Sequence, residues 1–290
     1  MSVRSDGKAQ PLGSLGIESD QRWRVDTPRG TVERTLDILR WVAEHCEGTC
    51  GVREIATELH MPVSTVHRAL TSLEKAGMVQ REPETRRYRL GLELYRLASY
   101  VSARFPLANV AVPILRSFVD ECNETTLLGV YDETRLEMMF VAAVESRHPL
   151  RYVVELNKWG PLYAGASGLA IMAFLPEADR RAIVARTHLK PVTERTIVDP
   201  VALEREMEKV RQRGYALTIG QRTPGAVGIA APIWGSDARV AGDILVTIPE
   251  QRFDSAMEPC LAELVIRCAK TISEYLTNAH GRSTPLSLLP

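Results

Sequence analysis

Residues 61–91 read MPVSTVHRALTSLEKAGMVQREPETRRYRLG, and no other stretch narrows the possible folds as much. Pro62 suits the first turn of a helix. Val63, Val66, Leu70 and Leu73 then recur at three- and four-residue spacing, the stripe of one helical face. Gly77 follows, the residue that most readily closes a helix C-terminus. "MVQRE" and "RRYRLG" read as two short strands with "PETR" turning between them. Burying the apolar stripe turns Ser64, Thr65, His67, Arg68, Thr71 and Ser72 toward the outer face. Hydroxyls and an arginine at the start of a helix are the groups that reach base edges in a major groove. The helix N-terminus itself favours a phosphate. Arg86 and Arg87 fall at the hairpin tip and its exit, where they can hold backbone phosphate or enter a minor groove. Each feature taken alone is also what a solvated helix or hairpin shows. The ordered set carries the nucleic-acid reading.

The residues upstream complete the unit. "TVERTLDILRWVAEH", 31–45, places Val32, Leu36, Leu39, Val42 and Ala43 on one helical face, with Thr31 as its expected cap. "VREIATELH" gives a second short helix with Ile55, Ala56 and Leu59 inward. Three helices and a hairpin within about sixty residues make a winged helix-turn-helix, assigned to 30–91. Residues 1–29 lack apolar periodicity and are expected to form a disordered arm. "LELYRLASYVSARF", 92–105, is an amphipathic linker helix showing Leu92, Leu94, Tyr95, Leu97, Ala98 and Val101 on its apolar face. That face needs a partner in one of the two domains or in a second copy of the chain. Residues 281–290 are expected to be a flexible tail.

Bulk properties set the remaining limits. A length of 290 residues suits two domains. Net charge is zero, so overall electrostatics do not argue for nucleic acid. The charge is distributed unevenly, however: residues 59–91 hold six basic and three acidic side chains, while 31–58 are net acidic. No run approaches the ~18 apolar residues that span a bilayer. Cys46, Cys50, Cys122, Cys260 and Cys268 are scattered, and no signal-peptide core precedes them. That pattern implies a reducing cytoplasm and mostly buried thiols. His45, Cys46, Cys50 and His60 lack the paired CxxC spacing of structural zinc. No metal or cofactor is expected.

Residues 106–280 alternate helices and strand pairs. Helices are expected at 108–123, 164–174, 176–187, 199–214 and 255–277. Strands are expected at 125–133, 135–145, 150–156, 215–220, 225–234 and 239–249. Clustered strand pairs imply an α+β domain with a largely antiparallel sheet. "GASG" at 165–168 does not have the Gly-x-Ser-x-Gly spacing of a nucleophile elbow, so Ser167 is not read as catalytic. There is neither a P-loop nor a strand-linked GxGxxG. The chain is read as not being an enzyme. Arg222 is a candidate partner for a carboxylate.

The run "TVERTLDIL … VREIATELHMPVSTVHRALTSLEKAGMVQREPETRRYRLG" resembles the N-terminal domain of IclR-type transcriptional regulators. The resemblance continues through "GPLYAGASGLAIMAFLP", "RTIVDP…VRQRGYAL" and "PGAVGIAAPI", over about 31–275. It implies a winged helix for DNA, a linker helix and a C-terminal GAF-like α/β effector-binding domain. It also implies dimers or tetramers on a pseudo-palindromic double-stranded operator. By family position the effector would meet Met138, Phe140, Gly165, Ala166, Thr218, Gly228, Leu245 and Thr247, with Arg222 added from the reading above. Several of these depart from the family pattern. The wing turn carries Arg86 where glycine is usual. Thr218 and Ile219 replace an acidic pair, Gly228 replaces a cysteine, and Leu245 stands where a hydroxyl is often found. A roomier, more apolar pocket is therefore expected, suited to a small aromatic or apolar organic acid. The function implied is a cytoplasmic, ligand-responsive regulator of a catabolic operon. The alternatives are a small-molecule hydrolase carrying a winged helix and a winged-helix protein-assembly module.

Overall fold

The computed structural model describes residues 30–46, 48–104 and 107–280, in two compact units that divide after Arg104. Expectations for the N-terminal arm and the C-terminal tail lie outside the described residues.

The first unit contains α1 (Thr31–His45), α2 (Val52–Glu58), α3 (Val63–Lys75), β1 (Val79–Arg81), β2 (Tyr88–Leu90) and α4 (Leu92–Arg104). The N-cap of α1 is Gly30 rather than Thr31, because the Glu33 carboxylate reaches back and accepts the Gly30 N–H at 2.9 Å. Pro62 sits just ahead of α3, as its N-cap. At the other end Gly77 takes φ +72°, while Met78 N–H reaches Leu73 O at 2.9 Å and Gly77 N–H reaches Glu74 O at 2.9 Å. This double closure satisfies two of the last free carbonyls of the helix and needs a left-handed residue there. Ile38, Val42, Ile55, Val66, Leu70, Leu73 and Tyr88 form the core. Each large aliphatic in it contributes about 1.5–3 kcal/mol by burial.

The wing is fastened on its inner side. Cys50 and Tyr88 exchange backbone hydrogen bonds, both 2.8 Å, giving the hairpin a one-residue third strand. Cys46 and Cys50 are joined as a disulfide across Cα atoms 5.8 Å apart, contrary to the expectation of separate buried thiols. Four-residue spacing across the α1–α2 turn brings them together. Of the other cysteines, Cys268 is buried, Cys122 half-buried and Cys260 exposed.

The second unit is a six-stranded antiparallel sheet in the order β5-β4-β3-β8-β7-β6. The strands are β3 (Thr125–Asp132), β4 (Glu137–Val144), β5 (Trp159–Gly160), β6 (Ala216–Ile219), β7 (Ala226–Trp234) and β8 (Val240–Pro249). Helices α5 (Leu107–Cys122) and α9 (Glu258–His280) cover one face, over Leu128, Ile229, Ile244, Val246 and Ile248. Helix α6 (Ala166–Met172), backed by α8 (Pro200–Arg213), covers the other, and α7 (Glu177–Thr187) belongs to the same layer. Alternation along each strand assigns residues to these two cores. Asp199 caps α8 by accepting Ala202 N–H at 2.7 Å, and Gly214 closes it at φ +82°.

The strand expected at 150–156 does not form. Most of that segment is exposed, with Val153 at 75%. β5 pairs the outer edge of β4 only at Met138 and Met139, and the chain before it touches that edge through a single bond, Asn157 N–H to Phe140 O at 2.8 Å. Side chains hold the segment instead: Arg151 pairs with Glu145, and the Tyr152 hydroxyl donates to Pro224 O at 3.0 Å.

Candidate DNA interface and effector site

On α3 the core takes Val66, Ala69, Leu70 and Leu73, which leaves Ser64, His67, Arg68 and Ser72 exposed and Thr65 and Thr71 half-exposed. Two of the six make bonds within their own helix. Thr71 Oγ1 donates to His67 O at 2.9 Å and Ser72 Oγ to Arg68 O at 3.1 Å. The Arg68 side chain has no hydrogen bond or ion pair among the described residues. The outward face therefore presents one free guanidinium, flanked by hydroxyls and an imidazole.

The two wing arginines differ. Arg86 is exposed at the tip with φ +57°, a left-handed conformation that glycine adopts without strain and a side chain resists. Arg87 is turned inward. It donates Nε–H to Thr49 Oγ1 at 3.1 Å, and Nη2 to Thr49 O at 2.8 Å and to Glu54 Oε2 at 2.9 Å. That guanidinium ties the wing to the α1–α2 loop, and Arg86 is left as the free charge at the tip. Arg86→Gly should relieve backbone strain of about 1 kcal/mol while removing that charge. The expected result is a melting temperature that is unchanged or higher, with weaker binding to every DNA sequence and a shallower salt dependence. Calorimetry beside a salt series on two unrelated duplexes checks it; a loss confined to one duplex would remove Arg86 from phosphate contact.

In the second unit the sequence-derived effector residues share the α6 face of the sheet. Thr218, Gly228 and Thr247 are cross-strand neighbours on β6, β7 and β8. A Cβ placed on Gly228 would lie 3.1 Å from Ala166 Cβ, 3.2 Å from Leu245 Cδ1 and 3.6 Å from Thr218 Oγ1. The expected extra room is therefore absent at this end: where the polar side chains are missing, Ala166 and Leu245 have closed in. The free polar groups lie further along β8 and over β3 and β4.

A second cross-strand row runs Phe140, Gly129, Asp243 over β4, β3 and β8. Arg222, from the β6–β7 loop, reaches over this row. Its guanidinium carbon is 5.7 Å from the Phe140 ring centroid, and Nη1–H points at Met138 Sδ at 3.6 Å. Three glycines make the space. A methyl on Gly160 would lie 2.3 Å from Arg222 Nη2, one on Gly165 (φ +86°) 2.9 Å from Arg222 Cβ, and one on Gly129 1.9 Å from Asp243 Oδ1. Asp243 is fully buried beside the buried Ser167 hydroxyl, and among the described residues neither group has a hydrogen-bond partner outside this pair. Burial pushes the Asp243 carboxyl up to about 7, against the downward pull of the Ser167 hydroxyl and the Arg222 charge. Burial likewise works against the Arg222 charge, and Asp243 supports it.

Sequence reasoning placed Met138, Phe140, Gly165 and Arg222 at this spot and missed Asp243, Gly129, Gly160 and the polar role of Ser167. The available signal was a single aspartate inside the otherwise apolar strand "VAGDILVTIP". Ser167 lies inside α6 and not on the strand-to-helix turn of a nucleophile elbow. Among the described residues no group of three or more metal-ligating side chains is present, and no helix is long and apolar enough to cross a membrane.

A winged helix with an open recognition face, joined to a GAF-like domain with unpaired polar groups at its centre, defines a DNA-binding regulator with an effector domain. The chain belongs to the IclR family of bacterial transcriptional regulators: the IclR helix-turn-helix domain matches residues 31–83, and the IclR C-terminal domain matches 99–274. It is similar to the HTH-type transcriptional regulator BhcR of Paracoccus denitrificans, 30% identical over 94% of this chain and 95% of that protein. Among solved structures it is similar to a putative IclR regulator from a Silicibacter species, with TM-score 0.75 and 27% identity over 86% of this chain and 96% of that one. An IclR homologue from Microbacterium hydrocarbonoxydans complexed with 4-hydroxybenzoate shares the fold, with TM-score 0.74 and 24% identity over 86% of this chain and 100% of that one.

Proposed function

We propose that this regulator controls a catabolic operon in the cytoplasm, and that an aromatic or apolar organic acid alters its grip on a pseudo-palindromic operator. The observation that carries the reading is the half-buried Arg222, whose guanidinium lies beside Phe140 and Met138 with no ion pair to a carboxylate among the described residues. A buried guanidinium is stabilised by an anion, and the surrounding Phe140, Leu162 and Leu245 suit an apolar body. The 4-hydroxybenzoate complex of the Microbacterium homologue supports an aromatic acid as a ligand of this fold. On the DNA side, α3 enters the major groove and Arg68 reads a guanine, while Arg86 holds phosphate. Self-association is supported by the apolar side chains left exposed on α4: Leu92, Tyr95, Tyr100 and Val101 are each more than half exposed. An apolar stripe of that kind is a docking surface for a second copy. Effector binding acts by favouring one spacing of the two recognition helices, with a coupling of about 1–3 kcal/mol.

The test is a mobility shift on the intergenic DNA beside the gene, repeated with candidate acids. Arg68→Ala should weaken operator binding by about 1–3 kcal/mol and relax base preference at one position. Operator binding indifferent to this change would remove Arg68 from the reading set. A protein that stays monomeric and ignores duplex DNA at low ionic strength would end the proposal.

A further inference from the structure

The polar groups around Met138 do more than accept an acid. Asp243 brings two buried oxygens and Ser167 a hydroxyl beside them, and among the described residues neither group has a partner outside this pair. Phe140, under the guanidinium, and Asp243 stand on strands two spacings apart, about 10 Å, with the bare Gly129 between them. The side chain of Met138 spans that gap. Its sulfur receives Arg222 Nη1–H at 3.6 Å. At its other end the methyl sits against the carboxylate, since a Cβ on Gly129 would lie 2.8 Å from Met138 Cε and 1.9 Å from Asp243 Oδ1. A flexible thioether thus separates a buried cation from a buried carboxylate, and among the described residues the two form no ion pair. Opposite charges held apart by a movable apolar plug form a complementary image of a zwitterion.

Resting on the acid-effector reading above, we propose that this site takes an amino acid with an apolar or aromatic side chain, whose carboxylate meets Arg222 and whose ammonium meets Asp243 and Ser167. Donor number favours an ammonium over a hydroxyl: the Asp243 oxygens and Ser167 Oγ offer several acceptor positions to three N–H donors, whereas a hydroxyl supplies one. Charge favours it as well, because an ammonium lets Asp243 ionise as a paired carboxylate, whereas an acid alone pairs only Arg222. The ligand side chain then lies along Phe140 and Leu162, in the apolar layer beneath α6. Met138 is the residue displaced, and methionine side chains move readily.

The experiment is calorimetric titration of the full chain with four molecules that differ only in their polar ends: phenylalanine, phenyllactate, 3-phenylpropanoate and phenethylamine. Leucine and its des-amino counterpart form a second, aliphatic series. Expected is at least tenfold tighter binding of the amino acid than of any relative lacking one end. Asp243→Asn should abolish the advantage of the amino group and leave 3-phenylpropanoate unchanged, while Arg222→Gln should abolish the advantage of the carboxylate. Ser167→Ala, a smaller change at the same acceptor cluster, should reduce the amino advantage several-fold and serves if the Asp243 variant does not fold. Acids that bind through Arg222 equally well with or without the amino group overturn this inference and leave the acid-effector reading standing. No binding of any acid, in a protein that still shifts its operator, overturns both.

Discussion

Alanine at position 91 is expected to unfold the DNA-binding unit and leave the effector unit intact. Gly91 is buried where β2 passes into α4, and its N–H donates to Met78 O at 2.8 Å. A Cβ there would lie 2.0 Å from Gly77 O, 2.8 Å from Gly77 C and 2.9 Å from Met78 C. All three are backbone atoms of the turn that closes α3, so no side chain can swing aside to make room. Relief requires β2 to separate from the end of the recognition helix, which breaks the helix closure and the wing together. The cost is about 3 kcal/mol or more, beyond ordinary overpacking because the obstacle is main chain. A domain of this size has a margin on the order of 5–10 kcal/mol. Scanning calorimetry of the full chain should show the winged-helix transition lowered by at least about 12 °C, the effector-unit transition unmoved, and operator binding lost in parallel. A winged-helix transition within 2 °C of wild type would show that the β2–α4 junction yields at little cost, contrary to this packing.

How much of this was legible in the chain follows from the range of the interactions. Helices α1, α3 and α8 are set by local periodicity and end signals such as Gly77 and Asp199, so their bounds could be read within a residue or two. The face of α3 followed from the same stripe. Residues 150–156 alternate as a strand should, but alternation does not supply a ladder, and side-chain ties from Arg151 and Tyr152 hold the segment instead. Arg87 looked like a phosphate ligand because its tie to Thr49 and Glu54 crosses more than thirty positions, a contact that no local pattern reveals. The effector site divides along the same line. Arg222 and the glycine-rich segment at 165–168 were visible, whereas Asp243 becomes informative only when the sheet sets it two strands from Phe140 with Gly129 between them. The glycines that make room for the polar pair act by close approach across strands, and sequence alone does not say which glycine faces what.

The pH dependence of the effector unit should trace to Asp243. Its carboxyl has an ordinary value of 3.8 and is held up to about 7 in the folded unit, chiefly by burial and despite Ser167 and Arg222. Between those two values the folded chain keeps a proton that the unfolded chain releases. Stability from this group is therefore fully present below about pH 4 and lost as pH rises through about 7. At about 1.4 kcal/mol per unit, going from pH 8 to pH 5 should stabilise the effector unit by about 2–3 kcal/mol through Asp243. Asp243→Asn keeps the shape, removes this titration and leaves every other ionisable group in place, so the difference between the two proteins isolates the contribution. The variant should melt higher than wild type at pH 8, where it no longer buries an unpaired carboxylate, and the gap should close by pH 5. Calorimetry of both proteins in matched buffers at pH 5, 6, 7 and 8 measures it. Parallel melting curves at all four values would mean that Asp243 is solvated or already paired in solution. The acceptor cluster from which the zwitterion site is built would then be filled before any ligand arrives.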